Sequence, residues 1–174
     1  MPSAVLTTAA SARLESLFRK LYTVTVALSG IEVVANGLSQ AQYLNPLNYF
    51  FLALFIASVL APMISSFFGA AKDIWFWLHG GVSMLIMLIW PWVVTDANLL
   101  PAEFQPWIWW ALGMAAISTG VTTNNGLAVA YLLANSLFWF LIDTSPFGGA
   151  SDQWVSFQDS MYIFLFSGTV IGLM

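Results

Sequence analysis

Apolar residues run along this chain in six long stretches, 21–38, 47–68, 74–94, 107–121, 127–142 and 157–174, separated by short polar or proline- and glycine-bearing breaks. Most approach the ~20 residues that carry a helix across a bilayer, although the fourth and fifth are shorter. The pattern predicts an all-α polytopic membrane protein built as a six-transmembrane-helix bundle over residues 21–174. For the fourth and fifth stretches a re-entrant pair is the alternative, because the turn Thr122-Thr123-Asn124-Asn125-Gly126 carries no charge. Ahead of the first stretch, residues 1–20 become amphipathic. Leu14, Leu17, Phe18 and Leu21 share one helical face while Arg13, Glu15, Arg19 and Lys20 lie elsewhere, which predicts a short helix on the membrane surface leading into the first span.

Polar interruptions of the apolar pattern are the first candidates for function. In the first stretch Thr25, Ser29, Glu32, Asn36 and Ser39 recur at helical spacing, one polar stripe with a carboxylate in it. An ionised acid near the bilayer centre costs at least ~2.5–3.5 kcal/mol. The stripe is therefore expected to look into the bundle or a wet cavity, where Glu32 is either held for packing by neighbouring helices or serves a binding site. At about 1.5 Å per residue Glu32 lies ~16 Å above the inner edge of its span, level with Ser58, Asn135, Ser136 and Ser167. Asn135 is the expected partner, since an amide can bond a carboxyl in either protonation state. Small residues mark close packing: Ala53, Ala57 and Ala61; Ala116 and Gly120; Ala130 and Ala134; and Gly168 and Gly172, the last pair a candidate dimer face. Pro62 and Pro91 fall inside the second and third stretches.

Composition agrees with the pattern. The chain has 174 residues, 60% hydrophobic and 7% charged, with a mean hydropathy of +0.83; soluble domains carry about 25% charged residues. The only cations are Arg13, Arg19, Lys20 and Lys72. They form no patch that would bind nucleic acid, but they set orientation: the N-terminus and the second connection lie inside, and six spans return the C-terminus to the cytoplasmic side of the plasma membrane. Asp96, Glu103, Asp143, Asp152 and Asp159 then fall outside. The first stretch is too long for a signal peptide and is followed by further spans. With no Cys, HExxH or Gly-rich phosphate loop, this stretch carries no recognisable catalytic set.

Two further clusters invite a ligand. On this topology seven of the nine tryptophans crowd the outer half, either as an interfacial belt or as the wall of a pocket containing Trp107, Trp110 and Trp139. The single histidine, His79, precedes Gly80 and Gly81, which open space beside the imidazole. That space suits either a neighbouring helix or a flat ligand such as haem, with His79 as one axial ligand and Met63, Met84, Met87, Met114 or a Tyr as the source of any second. His79 lies ~9 Å below Glu32, too far for a direct pair. The ligand-binding set read from the chain is thus Glu32, Ser29, Asn36, Asn135, Trp107, Trp110 and Trp139.

The short basic lead, six close-set spans, brief loops, aromatic richness and abrupt end at Met174 resemble the six-helix N-terminal membrane sensor region of actinobacterial histidine kinases. The resemblance implies a homodimeric signal-input domain that detects a hydrophobic or haem-like ligand among the membrane lipids and passes a conformational change through the sixth span. It also implies a kinase portion beyond Met174. The alternative is a small-solute transporter or substrate-binding subunit, similar to the vitamin-binding components of energy-coupling transporters, with Glu32, Asn36 and Asn135 around a solute.

Overall fold

A computed structural model describes residues 2–68, 73–101, 104–122, 125–149 and 153–173. Over them the chain forms six α-helices: α1 Pro2–Ser39, α2 Leu47–Phe67, α3 Asp73–Val93, α4 Trp109–Thr122, α5 Asn125–Asp143 and α6 Gln153–Leu173. The stretches Arg19–Ser39, Leu47–Ser65, Asp73–Val93 and Gly126–Asp143 are long and apolar enough to cross a membrane. The amphipathic lead and the first apolar stretch are one continuous helix, in place of the separate surface helix expected. No Gly or Pro lies between Ser3 and Ser29 to interrupt it. Lys72, Glu103, Thr123, Asn124 and Asp152 lie outside the described residues.

The bundle is organised around α4. Ala111, Leu112, Ala115, Ala116, Ile117, Ser118 and Thr119 are all buried, and α4 packs against α1, α3, α5 and α6. Its 14 residues span only ~21 Å. Three neighbours are tied to three consecutive carbonyls of α4. Asn135 Nδ2 of α5 donates to Leu112 O at 3.1 Å and Ser167 Oγ of α6 to Gly113 O at 3.3 Å. The Tyr22 hydroxyl of α1 donates to Met114 O and accepts from Ser118 Oγ.

The fourth side of α4 meets α3 through Gly80. A methyl group there would sit 2.8 Å from Thr119 Cγ2 and 3.5 Å from both Ala115 O and the Tyr131 hydroxyl. Gly81, one residue on, faces open space. Of the small-residue pairs, Ala116 and Gly120 do pack within the chain, with Gly120 against Ile171. Gly168 likewise lies against Leu132 of α5, so that half of the expected dimer face is used internally. Ala53, Ala57 and Ala130 instead point outward.

Both ends of the bundle are fastened. At one end Arg19 Nη1 meets Asp73 Oδ1 at 2.6 Å, joining α1 to the first turn of α3. At the other, a single antiparallel bridge pairs Leu44 with Val94: Asn45 N donates to Val93 O at 2.9 Å and Thr95 N to Tyr43 O at 3.1 Å.

The two adjacent glycines provide a paired test. Gly80→Leu is expected to lower stability by about 1–3 kcal/mol through overpacking, while Gly81→Leu should stay within about 0.5 kcal/mol of the parent. Denaturation of both variants in mixed micelles, followed by tryptophan fluorescence, measures the difference.

Candidate functional site

The tryptophan-rich end is a closed aromatic layer. Trp107 and Trp139 are 0% exposed, whereas Trp110 is 43% exposed and stands outside the layer. Trp107 packs edge-on against Trp90 (ring centres 6.2 Å apart) and Phe55 (5.9 Å), and Trp139 lies 5.0 Å from Trp109. Polar side chains lock this layer. Trp107 Nε1 donates to Asn48 Oδ1 at 2.8 Å, and Asn48 Nδ2 donates to Gly37 O at 3.2 Å, closing α1, α2 and the turn that leads into α4 on one another. Gln40 accepts from Trp107 N at 2.9 Å and donates to Gln105 O at 2.7 Å. Trp90 Nε1 donates to Phe147 O at 2.9 Å. Of the tryptophans expected to wall a pocket, Trp107 and Trp139 are thus packed against other aromatic rings, and Trp110 is exposed. Asp143, expected at the outer surface, is 4% exposed and hydrogen-bonded to Ser156.

The Glu32 stripe lies on the outside of the bundle. Glu32, Thr25 and Ser39 are exposed, and Ser29 and Asn36 are half-buried. The expected Glu32–Asn135 contact is not made: Asn135 is 0% exposed, bonds Leu112, and keeps its Oδ1 without a hydrogen-bond partner. The core-facing positions of α1 are instead Val26, Gly30, Val33 and Gly37, small or β-branched residues that let α2 approach through Val59 and Leu52. That apolar contact decides which way the helix faces, and the polar stripe is turned away by it.

His79 is buried between α2 and α3, 1% exposed, with its ring 5.5 Å from that of Phe55. Ser58 Oγ donates to Phe55 O at 2.7 Å, so its lone pair receives the proton of His79 Nδ1 at 3.1 Å. This network assigns the Nδ1–H tautomer and leaves Nε2 as a bare acceptor, buried and unpartnered. A porphyrin would need a flat slot beside that nitrogen. The side opened by Gly80 is filled by Thr119 and Tyr131, so on that side the space is taken by neighbouring helices, and with His79 1% exposed no slot of that kind is seen at the ring.

His79 does belong to a larger set. Among the described residues, the buried side-chain atoms without a hydrogen-bond partner are His79 Nε2, Ser83 Oγ, Asn135 Oδ1, Ser136 Oγ and Trp139 Nε1. All five lie on α3 and α5. These helices run in the same direction and touch, and their register is pinned where the Tyr131 hydroxyl donates to Gly80 O at 2.8 Å. Along the chain Ser83 follows Gly80 by three residues and Asn135 follows Tyr131 by four, each about one helical turn beyond that bond. The arrangement offers two acceptors, one N–H donor and two hydroxyls that can do either, with no formal charge. Ser83 and Trp139's role here were not apparent from composition, although the i, i+4 spacing of His79 with Ser83 and of Asn135 with Trp139 places each pair on one helical face.

Compared with protein families, curated proteins and solved structures, the chain matches none.

The two polar groups differ in a measurable way. Asn48→Ala strips the partner from the buried Trp107 N–H and should cost about 1–3 kcal/mol, whereas Ser136→Ala removes a hydroxyl that has no partner and should be neutral or slightly stabilising. Unfolding midpoints of the two variants, measured side by side, check this.

Proposed function

We propose that this chain is a membrane-embedded sensor, a signal-input module of six transmembrane helices with both ends on the cytoplasmic side of the plasma membrane. The observation that supports it is the set of unpartnered buried polar atoms on α3 and α5. Such atoms are costly inside hydrocarbon, and a ligand that bonds them favours whichever arrangement of the helices presents them best. Their chemistry suits a small, uncharged, membrane-soluble molecule with hydrogen-bonding groups, such as a quinol or phenol. It does not suit an ion.

The route for a signal follows from the packing. Asn135, Ser136 and Trp139 sit on α5, and α6 packs on both α5 and α4. A ligand that shifts α5 against α4 therefore displaces α6, the element through which the change leaves the bundle. The transporter alternative calls for a solute chamber around Glu32, Asn36 and Asn135, and those three do not share one.

Titration of the purified chain with a membrane-soluble quinol, followed by quenching of tryptophan fluorescence and by the unfolding midpoint, tests the proposal. Saturable binding with a raised midpoint is expected, weakened about tenfold by Asn135→Leu and by Ser83→Ala, the loss of roughly one well-made hydrogen bond. Binding that is absent, or equal in parent and variants, would sink it. Haemin added in parallel should give no Soret shift that depends on His79.

A further inference from the structure

The exposed stripe of α1 is a second polar feature, and the sensor reading makes no use of it. Glu32 lies 13 residues from Arg19 and 7 from Ser39 within the apolar part of α1, ~20 Å and ~10 Å from its two ends. Leu21, Leu28, Ile31 and Leu38 surround it on the open side. In a membrane-spanning α1 these residues face hydrocarbon, where a carboxyl has no solvent to bond.

The hydroxyls of the stripe give it a definite sense. Thr25 Oγ1 donates to Leu21 O at 3.0 Å, Ser29 Oγ to Val26 O at 3.1 Å and Ser39 Oγ to Asn36 O at 2.8 Å. Each hydroxyl has one proton, and each proton is engaged by the helix itself. Toward the outside, Thr25, Ser29 and Ser39 therefore offer acceptors, beside the carboxyl group of Glu32. Asn36 alone brings N–H groups.

A surface so rich in acceptors requires a partner rich in donors. A second copy of the chain supplies only the Asn36 amide. In a side-by-side pair Glu32 would meet Glu32 at the same depth, and the cations of α1, Arg13, Arg19 and Lys20, all lie at least a dozen residues before it; Arg19 is paired with Asp73. We infer that the Glu32 stripe of α1 is a docking face for a transmembrane helix of a different protein that carries Arg or Lys at mid-membrane depth. An Arg fits best, since its planar fork can take both carboxylate oxygens and still reach a neighbouring hydroxyl. The inference rests on α1 crossing a membrane and not on the quinol-binding reading.

The test reconstitutes the full chain, labelled with a donor dye, in phosphatidylcholine vesicles. Synthetic leucine–alanine helices about 20 residues long, labelled with an acceptor dye, carry Arg, Leu or Glu at the centre. The central-Arg helix is expected to associate about tenfold more tightly than the Leu helix, and the Glu helix no better than Leu. The Arg advantage should vanish with Glu32→Gln, an exposed near-isosteric change that leaves the fold intact. Equal association of the Arg and Leu helices overturns the proposal. So does an Arg preference that survives Glu32→Gln, or energy transfer between two labelled copies of the chain that is lost with Glu32→Gln.

Discussion

Three successive carbonyls of α4, at Leu112, Gly113 and Met114, hold the bundle together. Each accepts a side-chain hydrogen bond from a different helix: Asn135 of α5, Ser167 of α6 and Tyr22 of α1. Consecutive carbonyls on a helix are turned about 100° from one another, so one turn of backbone addresses three neighbours arriving from three directions. Apolar side chains alone would fix these neighbours weakly, because lipid tails are as apolar as they are. α3 has no such bond to this turn and comes close through Gly80 instead. α4 is thus a spindle, and its shortness is compatible with that role.

The polar groups of the bundle fall into two states. Around Asn48, Gln40 and Trp107 every donor named has an acceptor, and the result is a braced cap over the ends of α1, α2 and α4. Along α3 and α5 buried polar atoms go without. A completed network stiffens its surroundings, and an incomplete one is where a different arrangement costs least. Rigidity at one end and latitude in the middle belong to the same molecule, and the boundary between them runs across α5, from Asn135 to Trp139.

The six helices were legible in the apolar stretches, with ends displaced by about four residues at most outside α1, since a bilayer demands long apolar runs and little else in this chain interrupts them. The union of the lead with α1 was less visible, because amphipathic character suggests a surface helix while only the lack of a breaker reveals continuity. The stripe containing Glu32 was legible as a stripe. Its direction was not: periodicity says which residues share a face, and it takes the contact of Gly30 and Gly37 with α2 to say which face is inside. The tryptophans left belt and pocket both open for a related reason, since a residue suited to line a pocket is equally suited to fill a core. His79 was found by its rarity, but Ser83 and Ser136 are ordinary in a membrane helix and gain meaning only from the partners they lack.

α1 is an unbroken helix of 38 residues, close to 57 Å of rod. Arg19, clasped by Asp73, divides it into a bundle-side arm that bears Glu32 and a second arm, residues 2–18, about 26 Å long. Such a rod behaves as a lever with its fulcrum at the ion pair. A tilt of ~10° imposed on the first arm would sweep the far tip through roughly 4–5 Å at this length, with no hinge in between to absorb it. An event at the exposed, Glu32-bearing side of α1 would then be felt beyond the bundle without passing through its core at all.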